Sequence, residues 1–121
     1  MIRKVKFIGI PVANQDRAVE FYTSKLGFSV LTDQPFDEKQ RWIELKIPGA
    51  ETGVVLFTPT GHEDRVGTFV NTSFTVDSVE KTYQDLVAKG VEFLGPPQKE
   101  HWGSMALMKD SEGNTLCLGG K

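Results

Sequence analysis

Cys117 is the only cysteine among 121 residues, and His62 and His101 are the only histidines. These side chains and the carboxylates are the candidates for proton transfer, nucleophilic attack or metal ligation. A nucleophilic Cys117 needs a base or a cation to lower its thiol pKa from about 8.5. His62 lies in "PTGHEDRVG", residues 59–67, and is expected in solvent. His101, in "EHWGS", is expected to open a strand and could reach the rim of a groove. No spacing demands a Cys–His pair, and a small inert wall residue is the preferred reading of Cys117, because free cysteine is often simply buried. Glu44, in "RWIELKI", is the one carboxylate that strand alternation is expected to aim into a groove. It could bind a cationic group or act as a base. A surface pair with Lys46 or Arg41 is the competing reading. Trp42 and Trp102 could stack on a flat ligand, with core or dimer packing the alternative for both rings.

The elements that must position these residues follow from hydrophobic periodicity. "VKFIGIPV" alternates and reads as a strand, with Ile8, Ile10 and Val12 on one face and Phe7, Gly9 and Pro11 on the other. "ANQDRAVEFYTSKLGF" reads as a helix capped by Asn14, with Ala18, Phe21, Tyr22 and Leu26 at helical spacing and Gly27 at its end. "FSVLTD", "RWIELKI" and "GVVLFT" are expected strands. The stretch 59–67 has no periodicity and reads as a linker. After it the order begins again. "FVNTSFTVD" is a strand with Thr72, Phe74 and Val76 on one face and Asn71, Ser73 and Thr75 on the other. "DSVEKTYQDLVAKG" is a helix that Asp77 and Glu80 are expected to cap, with Val79, Tyr83, Leu86 and Val87 as its apolar stripe and Gly90 at its end. "VEFLGPP", "GSMALMK" and "NTLCL" are the remaining expected strands, and Thr115 and Cys117 face away from Leu116 and Leu118.

Both halves therefore read β-α-β-β-β, and "KLGFSVL" and "AKGVEFL" are one local pattern used twice. The expected fold class is α+β: two βαβββ modules forming an eight-stranded, mixed, cup-shaped sheet with the helices on the outer face. The expectation is one domain over 1–121, with module one at about 1–58, the linker at about 59–67 and module two at about 68–121. The helix-free face carries small, mostly polar residues and suits a small organic ligand better than it suits a buried core.

Bulk properties narrow the function. Apolar content is 39%, charged content 25% and net charge −2, with a pI near 5.7. No basic excess points to nucleic acid or an anionic membrane. No apolar run is long enough to span a bilayer, and the N-terminus lacks the apolar core of a signal peptide. A lone cysteine makes no intrachain disulfide, and a cytoplasmic protein is expected.

The stretches "PVANQDRAVEFYTSKLGF", "FTVDSVEKTYQDLVAKGVEFLGPP" and "WGSMALMKDSEGNTLCL" resemble the vicinal oxygen chelate superfamily of glyoxalases, bleomycin-resistance proteins and extradiol dioxygenases. The resemblance covers nearly the whole chain and implies the fold more firmly than the function. It implies that metal-dependent relatives place four ligands, commonly His and Glu, one from each of four strands. Carried over, those positions are Phe7, Leu56 by a gapped comparison, Asn71 and Cys117. One thiol, one amide and two hydrocarbon groups do not make the three or four donors that a divalent ion needs at about 2.0–2.3 Å.

The favoured reading is therefore a metal-independent small-molecule binding protein, similar to the bleomycin-resistance branch, without a cofactor. Its ligand would contact Phe7, Asn71, Ser73, Trp102 and Cys117, with Glu44 and His101 as further candidates. The acidic pI modestly favours a cationic ligand. The alternative is a glyoxalase-like lyase, isomerase or dioxygenase. It would use a non-standard metal set such as Cys117, His101 and Glu44, or metal-free acid–base work by Glu44 or His101. Relatives commonly dimerise, and a homodimer is expected.

Overall fold

The computed structural model describes residues 1–121. Eight strands and two helices follow the order β1 (Phe7–Pro11), α1 (Gln15–Glu20), β2 (Ser29–Pro35), β3 (Arg41–Lys46), β4 (Gly53–Phe57), β5 (Phe69–Val76), α2 (Val79–Ala88), β6 (Gln98–Glu100), β7 (Gly103–Lys109) and β8 (Thr115–Gly120). The class is α+β, as expected, and the chain divides into two compact units, Met1–Val66 and Gly67–Lys121. Each unit is one βαβββ module with its own four-stranded mixed sheet. No helix is long and apolar enough to cross a membrane.

In the first unit the strand order is β1-β4-β3-β2. β1 and β4 are parallel, so α1 and two strands separate them in the chain; the β3–β4 and β2–β3 pairs are antiparallel. Asn14 caps α1 as expected, its side-chain oxygen accepting from the Arg17 amide at 2.9 Å. The helix then widens into a single π-turn, Phe21–Lys25, before Gly27 ends it at φ 80°. α1 packs on β4. Between them lie Ile10, Ala18, Tyr22, Ile43, Leu45, Val54 and Leu56, all fully buried. Gln15 ties the helix entrance to the sheet: its amide donates to the Arg41 carbonyl (2.8 Å) and the Leu56 carbonyl (3.0 Å) and accepts from the Arg41 amide (3.0 Å). Arg41 also bridges Asp16 and Asp33, and hydrogen bonds to these two carboxylates hold its guanidinium above its ordinary pKa.

The second unit repeats the scheme with the order β5-β8-β7-β6, β5 and β8 parallel and the other pairs antiparallel. Three local expectations are corrected here. The α2 cap is Ser78, whose hydroxyl accepts from the Lys81 amide at 3.2 Å, one position after Asp77. Val79 and Leu86 are buried in the α2 stripe, but Val87 is 47% exposed. "VEFLGPP" is not a strand. Phe93 makes a single bridge to Met108, and the pairing strand is the three-residue β6 further on. Pro96 and Pro97 have no amide hydrogen to give a ladder, so pairing cannot continue through them. The linker histidine, His62, is exposed beside a single turn of 3-10 helix at Glu63–Arg65.

Candidate functional site

The register of the first sheet sorts its side chains by face. Gly9 pairs with Val55, Val55 with Glu44, and Glu44 with Thr32, so these four make one row across the sheet. Phe7 and Gly53 lie on the same face in a flanking row, and Pro11 and Phe57 in the row on the other side. Ile43 and Leu45 point to the helix, so alternation sends Trp42, Glu44 and Lys46 to this helix-free face as well. The Phe7 and Trp42 rings meet edge to face at 5.6 Å, and Phe36 leans on Trp42 at 6.0 Å. Phe7 and Trp42 start from rows on opposite sides of the Gly9–Val55–Glu44 row, so their contact passes over it. That accounts for Val55 being only 2% exposed on a face with no helix; Glu44, in the same row, is 8% exposed. Phe57 fills the space above Gly9: a β-carbon there would stand 2.9 Å from its ring.

One position carried over from the family resemblance is corrected by this register. Leu56 pairs with Ile10 and Ile43, is fully buried, and points to the helix. The β4 residues that share a face with Phe7 are Gly53, Val55 and Phe57. A one-residue error in a gapped comparison turns a strand residue to the opposite face. Neither Val55 nor Phe57 donates to a metal. Phe57 and Phe36 went unread in the sequence. The alternation of Gly53, Val55 and Phe57 was the available signal for the first; only the folded loop brings Phe36 to Trp42.

In the second sheet Ser73 pairs with Cys117, and Cys117 with Leu107. Asn71, Ser73 and Thr75 are exposed, while Leu116 and Leu118 are buried, so Cys117 stands on the polar face as alternation requires. The thiol is half-buried, and its one hydrogen bond is a long contact with the Leu118 carbonyl at 3.5 Å. His101 and Trp102 form the turn between β6 and β7 rather than the start of a strand, and Trp102 is 56% exposed. Cys117 pairs in the body of β7, so the turn does not present His101 to it. No three His, Cys, Asp or Glu side chains come together as a metal site. Replacing the thiol tests its role directly. Cys117→Ala is expected to change stability by less than about 1 kcal/mol in urea denaturation.

The Asp110–Asn114 turn delivers β8 to its place. Asp110 accepts from the Glu112 amide (2.8 Å), the Asn114 amide (2.9 Å) and the Asn114 side chain (3.0 Å). Asn114 is fully buried and accepts from the Gly67 amide at 2.7 Å. The Asp110 carboxylate of "DSEGN" is therefore engaged in shaping a turn.

The chain belongs to the Glyoxalase/Bleomycin resistance protein/Dioxygenase superfamily, whose family model matches residues 4–118. It is similar to a superfamily member from Sphaerobacter thermophilus DSM 20745, at 31% identity and a TM-score of 0.89 over 99% of this chain and 98% of that one. It is similar to TnmS3, an antibiotic binding protein from Streptomyces sp. CB03234, at 30% identity and a TM-score of 0.84 over 98% of this chain and 96% of that one. Protein YetH of Bacillus subtilis (strain 168) is 32% identical over 121 residues, 98% of each chain.

Proposed function

We propose that the protein binds an organic small molecule on the helix-free faces of its modules without a resident metal. Phe7, Asn71, Ser73, Trp102 and Cys117 are the proposed contacts, with Glu44 and His101 as further candidates, and Trp42 and Phe57 join them from the register of the first sheet. One observation carries the reading. The strand positions that metal-dependent relatives are expected to use hold Phe7, Val55 or Phe57, Asn71 and Cys117. Rings, an amide and a thiol suit contact with an organic surface and lack the donors that a divalent ion needs. Similarity to TnmS3, an antibiotic binding protein, supports the same class of ligand. The proposal places the protein in the cytoplasm as a homodimer.

Metal content is the first test. The untagged protein is incubated separately with excess Zn, Ni, Mn and Fe(II), desalted and assayed for metal per chain. Occupancy near zero with all four is expected. Stoichiometric occupancy would overturn the metal-free reading and bring the lyase, isomerase or dioxygenase alternative forward. A panel of aromatic and antibiotic-like compounds then tests binding by titration calorimetry. Phe7→Ala is expected to weaken the tightest binder by about tenfold, the scale of one aromatic contact removed. Unchanged affinity would remove Phe7 from the site.

A further inference from the structure

Glu44 is a carboxylate in an unusual position. It is nine-tenths buried, yet no donor or cation of the protein bonds it. No fully buried side-chain oxygen lacks a partner anywhere in the chain, so the Glu44 oxygens keep a path to solvent. Lys46 shares its face but makes no ion pair with it. One carboxylate oxygen reaches over Gly53, 3.6 Å from where a β-carbon on that glycine would sit. A carboxylate on the same face as two aromatic rings, beside the Gly53 that pairs with Phe7, gains nothing for folding while it has no partner.

We propose that Glu44, with the Phe7–Trp42 ring pair, is a subsite for the cationic amine of an organic ligand. This rests on the ligand-binding reading above and adds its charge. An ammonium group entering over Gly53 would gain a charge-assisted hydrogen bond from Glu44 and the faces or edges of two rings. A bare metal ion is a poor occupant, since no second and third acidic donor converges there. A primary or methylated ammonium on an apolar body matches one carboxylate set among rings.

Benzylamine and benzyl alcohol are probes of nearly equal shape that differ in charge at neutral pH. Each is titrated into the 15N-labelled full chain while the indole N–H signals of Trp42 and Trp102 are followed, assigned with Trp42→Phe. The expected result is saturable movement of the Trp42 signal and at least about tenfold tighter binding of benzylamine. Glu44→Gln is expected to abolish that preference by weakening benzylamine about tenfold, and to melt no lower than wild type, because the fold loses no bond of Glu44. A purely structural Glu44 would not move the charge preference. The proposal is overturned if the two probes bind equally, if the preference survives Glu44→Gln, if only Trp102 responds, or if benzylamine does not bind. Neutral compounds from the organic panel binding while benzylamine fails would remove the cation subsite alone. Failure of every organic compound would remove the ligand-binding reading beneath it.

Discussion

Gly120→Ala is expected to destabilise the protein by about 3–5 kcal/mol, measured by equilibrium urea denaturation followed by circular dichroism. The added methyl group would be driven directly onto the Val76 carbonyl oxygen, which is backbone and cannot rotate away. Gly120 pairs with Val76 of β5 on one side and Ser104 of β7 on the other. Movement away from Val76 therefore strains the second ladder while relieving the first. The backbone there has φ 157°, a value that side chains rarely adopt, so the substitution is penalised twice. The neighbour is the control. A β-carbon on Gly119 would meet only the Ser73 hydroxyl, at an ordinary 3.6 Å, and Gly119→Ala is expected to cost less than about 1 kcal/mol. Equal losses at the two positions would mean that close approach to the Val76 carbonyl is not what requires glycine at 120.

That contrast shows what the sequence could and could not reveal. "LGG" at the chain end is two glycines of the same type, and only the register separates the one against a carbonyl from the one beside a hydroxyl. Alternation assigned the faces of β1, β3, β5 and β8 correctly, because each carries a clear apolar set at every second position. It placed Glu44 opposite Ile43 and Leu45 for that reason. The run "GVVLF" in β4 is apolar on both faces, so periodicity offers no anchor against which to check the gapped comparison that points to Leu56. "VEFLGPP" had the composition of a strand, yet two prolines stopped its ladder. The pairing of Phe7 with Trp42 depends on two rings meeting across a row of the sheet, which no local pattern encodes.

Asn114→Ala is expected to cost about 3–4 kcal/mol, since it orphans buried partners on both sides of one side chain. The Gly67 amide loses its acceptor, and the Asp110 carboxylate, itself only 7% exposed, loses one of its donors. The link matters beyond the turn. Gly67 and Thr68 lead into β5, and Thr115 opens β8 with its amide donating to the Thr68 carbonyl at 3.0 Å. Asn114 thus joins the entrances of the two parallel strands whose pairing sets Ser73 beside Cys117. Asp110→Ala removes the acceptor from two backbone amides and from Asn114, and a loss of similar size is expected. The two residues share a bond, so the double variant should fall short of the sum by about 1–2 kcal/mol in urea denaturation. A strictly additive pair would mean that each holds the turn separately, Asp110 through the backbone amides and Asn114 through Gly67. In that case β8 would keep its register after loss of either residue, and the amide signals of Ser73 and Cys117 would stay at their wild-type shifts in both single variants.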